Sequence, residues 1–190
     1  MPTYILHGGE TSRPSEDNKN FFKEMTNLDT DDIKILCVYF SREKNIWQEK
    51  LEQDKSYFSE ANPTKNLSFT MADDDPEAFK NQIKDCDVVY MRGGDTELIL
   101  NRLKKIENFK ELLQDKKIVS GSSAGACALS KYYHTGTIET DAKIGLNVLD
   151  MKIFVHYSDD KKEELEKLQK IGEDLPIYKV EEEKFVVINK

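Results

Sequence analysis

The segment Ile118-Val119-Ser120-Gly121-Ser122-Ser123-Ala124-Gly125-Ala126 joins a short apolar run to a stretch of very small residues. Small neighbours on both sides of a serine are what a nucleophile elbow requires, because the chain must turn sharply from a strand into a helix. The glycines decide the register. Ser123 has Gly121 two residues before it and Gly125 two after it, whereas Ser122 has Ser120 and Ala124 in those places. Ser123 is therefore the candidate nucleophile. In such a turn the Ala124 amide faces an oxyanion formed at the serine, and the helix dipole favours that charge. The same residues also suit a plain helix cap or a phosphate loop, so catalysis depends on what stands beside them.

A second glycine cluster, Arg92-Gly93-Gly94-Asp95-Thr96, follows the apolar run Val88 to Met91. It lacks the Gly-Lys-Ser/Thr ending of a P-loop and the spacing of a dinucleotide fingerprint. In an open parallel sheet the loops at the carboxyl ends of the strands converge on one crevice, which makes Gly94 the candidate for a second oxyanion amide beside Ala124. Arg92 adjoins that loop.

The general base must come from His7, His134 or His156. His156 ends the run Ile153-Phe154-Val155-His156 and follows the serine in the chain, as the base does in many α/β serine hydrolases. It is the candidate base, with His7, also at a strand end, as runner-up and His134 expected at the surface. The acid that orients the imidazole is expected between Ser123 and His156, at Glu139 or Asp141, with Asp150 behind them.

Apolar blocks alternating with polar stretches of helical period supply the elements that would position these groups. Strands are expected at Tyr4 to His7, Ile33 to Phe40, Leu67 to Met71, Val88 to Met91, Ile118 to Ser120, Ile153 to His156, Ile177 to Val180 and Phe185 to Ile188. Helices are expected to begin near Asp17, Asn45, Pro76, Thr96, Ser123 and Asp159. Asp75 can cap the helix at Pro76, and Gly172 should end the one that starts near Asp159. Lys131 to Asp150 reads as loops or a small hairpin. The pattern is that of βα units feeding a mainly parallel sheet in a single α/β domain spanning residues 1–190.

The formal charge of −8, from 28 basic and 36 acidic residues, argues against nucleic-acid or anionic-membrane partners. Asp73-Asp74-Asp75 reads as an acidic first helical turn in preference to a metal site. Cys37, Cys86 and Cys127 form no Cys-x-x-Cys pair, which suits reduced thiols in the cytoplasm. Neither the N-terminal run nor any later one has the length of a signal core or a membrane span.

Taken together, the strand before Gly-Gly-Asp-Thr, the run Gly-Ser-Ser-Ala-Gly-Ala, and Gly145-Leu146 leading into Val155-His156-Tyr157 resemble the peptidase E family, which includes cyanophycinase-like enzymes. The resemblance implies a flavodoxin-like three-layer sandwich related to class I glutamine amidotransferases, with serine in place of cysteine at the elbow. It implies a cofactor-free serine peptidase acting on small peptides, with dipeptides bearing N-terminal Asp as the best-known substrates; for such a substrate Arg92, beside the glycine loop, is the cation expected to meet the acidic group. Carried over, Ser123 is the nucleophile, His156 the base, and Gly94 with Ala124 the oxyanion hole. A homodimer is compatible with this reading. Two alternatives remain open: a catalytically silent binding or sensor module of the same fold, and a glutaminase-like amidotransferase domain. The second lacks a cysteine at the elbow, since Cys127 lies one helical turn further on.

Overall fold

The computed structural model describes residues 2–189. The first half of the chain runs β1 (Thr3–His7), α1 (Glu16–Glu24), β2 (Asp32–Val38), α2 (Trp47–Ala61), β3 (Asn66–Met71), α3 (Pro76–Asp85) and β4 (Val88–Met91). It continues through α4 (Thr96–Leu103), α5 (Phe109–Leu113), β5 (Ile118–Ser122), α6 (Ala124–Leu129), β6 (Ser130–His134), β7 (Lys143–Ile144), β8 (Leu149–Val155), α7 (Lys162–Lys170), β9 (Ile177–Val180) and β10 (Phe185–Asn189).

One sheet has the order β10-β1-β5-β4-β2-β3. All its pairings are parallel except β1 with β10. This is the flavodoxin-like α/β sandwich expected from the sequence. From β2 the chain moves outward to β3 and then returns to the other side of β2 as β4. The carboxyl ends of β2 and β4 therefore flank the topological switch point, where loops diverge and leave a crevice. Side-chain alternation along β4 shows how the layers form. Tyr90 packs edge-on against Phe21, Phe22 and Phe58 at centroid distances of 5.8 to 6.1 Å. Its neighbour Met91 meets Gly125 of α6, so α1 and α2 cover one face and α6 the other.

Local sequence accounts for the helix ends. The Asp75 carboxylate accepts from the Glu77 and Ala78 amides, with Pro76 in the first turn, as the sequence predicts. Asp95 caps α4 in the same way, through the Glu97 and Leu98 amides. Gly172, at φ +61°, follows α7. Asp74 lies 3.6 Å from Arg102, and Asp73 accepts from the Asp75 amide, so the acidic triplet is engaged within its own turn and with nearby side chains.

The stretch 131–150 differs from the expectation of loops or a small hairpin. A short hairpin is present, with Tyr132 opposite Ile144, but it belongs to a second sheet of order β7-β6-β8-β9. In that sheet β6, β8 and β9 run parallel. Its last strand leads directly into β10 of the first sheet, so the turn at 181–184 crosses from one sheet to the other.

Candidate active site

The elbow is built by contacts that admit no side chain. A Cβ on Gly121 would lie 2.4 Å from the Gly125 carbonyl carbon, and one on Gly125 would lie 2.3 Å from the Met91 carbonyl oxygen. Glycine at both places lets strand β5 fold back onto helix α6. Between them Ser123 adopts φ 45° and ψ −106°, a backbone state that costs a non-glycine residue about 1–3 kcal/mol and must be held by its surroundings. Its amide donates to the His7 carbonyl at 2.8 Å and its carbonyl accepts from the Cys127 amide at 2.9 Å.

Ser123 Oγ lies 2.8 Å from Nε2 of His156. The imidazole stands at the end of β8 on a residue with φ 52°, whose amide donates to the Gly8 carbonyl at 3.1 Å. A Cβ on Gly9 would come within 2.0 Å of the ring, so the Gly8-Gly9 pair forms a bare backbone floor beneath it. The other ring nitrogen, Nδ1, is 3.4 Å from Oε1 of Glu182. That is the long end of a hydrogen bond, a common state for such pairs before substrate closes a site. Glu182 reaches this point because its turn is fastened to the same floor. The Gly8 amide donates to the Lys184 carbonyl at 2.9 Å, and the Glu183 amide donates to the Gly9 carbonyl at 3.0 Å.

His7 and His134 share a different local arrangement. Each ends a strand, and each accepts at Nδ1 from the amide of a glycine two residues on, Gly9 and Gly136, at 3.0 Å in both cases. Nε2 then donates to Asn18 Oδ1 at 2.9 Å in His7 and to the Thr140 carbonyl at 3.1 Å in His134. With both nitrogens engaged these rings are buried struts. Burial lowers the pKa of His7 to about 4 and that of His134 in the same direction. His134 is thus in the interior, against the expectation of a surface position.

Ser123, His156 and Gly94 line one cavity, Ala124 directly follows Ser123, and Glu139, Asp141 and Asp150 lie elsewhere. Glu139 and Asp141 are exposed on the loop between β6 and β7. That loop is drawn toward α7, where the Glu139 amide donates to Glu164 and Lys167 donates to the Thr140 carbonyl. Asp150 is exposed near the start of β8, six residues from His156, roughly 20 Å along an extended strand. None of these three expected acids stands beside the imidazole; the carboxylate there is Glu182, which follows both Ser123 and His156 in the chain.

Arg92 borders the crevice, but its guanidinium turns under α2. Nη1 lies 2.7 Å from Oδ1 of the fully buried Asp54 and 3.2 Å from the Lys50 carbonyl, while Nη2 is 3.2 Å from Gln53 Oε1. Tyr39 donates to the other Asp54 oxygen at 2.9 Å. The substrate-binding expectation for Arg92 is left without a free guanidinium. Ser122, the rejected register, is buried and accepts the Gly93 amide at 2.9 Å, tying the glycine loop to the elbow. The Gly94 and Ala124 amides donate to no acceptor among the described residues. Cys127 is buried in α6, and burial pushes its thiol pKa up, away from the thiolate a cysteine nucleophile needs.

Ser123, His156 and Gly94 line a cavity of about 310 Å³ together with Gly9, Glu10, Thr11, Ser12, Arg42, Arg92, Gly93 and Ser122. A nucleophile in contact with a base, two unspent amides and a space of this size can together perform acyl transfer.

The model of peptidase family S51 matches residues 5–190. Among solved structures, a candidate peptidase E protein from Listeria monocytogenes EGD-e superposes with a TM-score of 0.68 at 16% identity, covering 99% of this chain and 94% of the other. A peptidase from an acI-B1 Actinobacterium gives a TM-score of 0.61 at 19% identity, covering 99% of this chain and 83% of the other. At these identities the likeness is one of fold. No curated protein matches the sequence.

Proposed function

The chain belongs to peptidase family S51 and is a serine-type peptidase, and from that premise we propose that it hydrolyses small peptides, dipeptides with N-terminal Asp among them, through Ser123, His156 and Glu182. The observation that carries this reading is the 2.8 Å contact between Ser123 Oγ and His156 Nε2. Ser123 attacks the scissile carbonyl while Nε2 of His156 takes the hydroxyl proton. The Gly94 and Ala124 amides receive the developing oxyanion. His156 then delivers the proton to the leaving amine, and water releases the acyl group by the same steps in reverse order. Glu182 accepts from Nδ1–H, which fixes the tautomer that presents a lone pair to the serine and steadies the imidazolium that forms.

A cavity of about 310 Å³ suits a ligand the size of a dipeptide. The proposal includes a cytoplasmic location, in keeping with three free thiols. No described helix is long and apolar enough to cross a membrane.

The test is release of amino acids from a panel of dipeptides by the wild type and by Glu182→Gln. The amide keeps the shape of the side chain but can hold the wrong tautomer. It is expected to lower kcat by about 10²-fold or more, with little change in KM. Retention of full activity in Glu182→Gln, together with a large loss in Glu139→Gln or Asp141→Asn, would return the orienting role to the loop between β6 and β7.

A further inference from the structure

The chain has four arginines, Arg13, Arg42, Arg92 and Arg102. Three of them face a carboxylate: Arg13 meets Glu183 at 2.7 Å, Arg92 meets Asp54 at 2.7 Å and Arg102 meets Asp74 at 3.6 Å. Arg42 has no acidic partner among the described residues, and it lines the cavity that contains Ser123 and His156. We propose that Arg42 is the specificity-determining residue of this site and that it grips a carboxylate of the substrate. The inference rests on the peptidase reading and names a feature of the ligand that this reading leaves open.

Three observations support it. Arg42 follows β2 and faces the loop after β4, so it stands at the switch point of the sheet, where the crevice opens. Its backbone is pinned: the amide donates to the Tyr39 carbonyl at 2.8 Å, and its carbonyl accepts from Trp47 Nε1 at 3.0 Å and Arg102 Nη1 at 2.9 Å. Finally, Nε donates to the Gly93 carbonyl at 2.8 Å, which fixes the plane of the guanidinium. The two terminal nitrogens donate to no acceptor among the described residues, and they form the end of the fork that takes a carboxylate with two parallel hydrogen bonds. A Cβ on Gly94 would lie 2.7 Å from Arg42 Nε, so the cation adjoins the proposed oxyanion loop. The cavity's one acidic side chain, Glu10, faces a cation of its own, Arg13, at 3.8 Å.

A peptide offers carboxylates of two kinds, an acidic side chain and the C-terminal group. The experiment separates them with Asp-Leu, Asn-Leu, Asp-Leu amide and Asn-Leu amide. Binding of each is measured by calorimetry on Ser123→Ala and on Ser123→Ala combined with Arg42→Gln, and kcat/KM is measured on the wild type and Arg42→Gln. The expected result is a loss of roughly 10- to 100-fold for Arg42→Gln on peptides that carry the recognised carboxylate, and little on peptides without it. Loss confined to the two Asp peptides identifies the side chain; loss confined to the two free acids identifies the C-terminus. Arg42→Lys, which keeps the charge without the fork, should recover only part of either. An equal loss on all four peptides would show a purely structural role through the Gly93 carbonyl and overturn the proposal, as would unchanged affinities or an absence of binding. If the peptides bind with this pattern but the wild type cleaves none of them, the peptidase reading fails and the carboxylate site stands.

Discussion

His156→Ala is expected to retain its fold and to hydrolyse the best peptide substrate about 10³-fold or more slowly than the wild type. The change removes a partly exposed side chain at a strand end. It takes away no core contact and no backbone hydrogen bond, because the His156 amide still meets the Gly8 carbonyl. It does remove the only group among the described residues in contact with Ser123 Oγ that can take its proton. The unspent amides of Gly94 and Ala124 and the cavity itself remain, so a residual rate above that of water should persist. His134→Gln serves as the comparison. That ring is buried and engaged at both nitrogens, so its loss should lower the melting temperature with kcat per folded molecule nearly intact. Turnover and thermal melting of both variants decide the matter, and wild-type turnover in His156→Ala would remove it as the base.

Arg92→Leu is expected to cost about 3–5 kcal/mol of folding stability, the usual penalty for stripping one member from a buried ion pair. Asp54 is fully buried, and burial already raises its pKa to about 6 against the opposing pull of Arg92 and of the Tyr39 hydroxyl. Without Arg92 the carboxylate keeps, among the described residues, only Tyr39 as a direct side-chain partner, and it must either remain charged in the core or take up a proton. For a chain of 190 residues the loss corresponds to a fall in Tm of roughly 6–20 °C. Changing both residues, in Arg92→Leu with Asp54→Leu, should recover much of it. Activity should fall with stability and equally across peptides, because the Arg92 guanidinium is held by Asp54, Lys50 and Gln53 and has no terminal nitrogen left for substrate among the described contacts. A loss under about 1 kcal/mol by urea unfolding, or a loss of activity selective for acidic peptides, would contradict this assignment.

The parts of the site that local chemistry decides were legible in the sequence. The glycines at 121 and 125 mark Ser123 because no other residue tolerates approaches of 2.3 to 2.4 Å. His156 was legible as a histidine at a strand end following the serine. Glu182 and Arg42 were not, because each reaches the site through tertiary neighbours. Glu182 lies on the turn that passes from the second sheet to the first, and nothing local to Glu181-Glu182-Glu183 tells which of them meets an imidazole. Arg42 depends on β2 lying beside β4, a pairing that a linear reading does not supply. The small hairpin expected within 131–150 is formed by β6 and β7, but the start of β6 has no local mark, because Ser130-Lys131-Tyr132-Tyr133-His134 begins directly after a six-residue helix with no turn residue between them. Adjacency of Arg92 to Gly93 in the sequence does not carry its guanidinium into the crevice, because the side chain turns under α2 to Asp54, Lys50 and Gln53.

The central claim, that Ser123 is an activated nucleophile, is tested most directly by labelling with a fluorophosphonate, whose adduct resembles the tetrahedral intermediate. Mass spectrometry of the digested protein should place the label on the peptide containing Ser123. The label should vanish in Ser123→Ala and persist in Cys127→Ala and in Ser122→Ala, where the hydroxyl lost is the one that holds the Gly93 amide. Dipeptide hydrolysis measured on the same preparations should follow the label. Labelling that survives in Ser123→Ala, or full hydrolysis by that variant of the peptide the wild type cleaves, would contradict the assignment of Ser123 as the nucleophile.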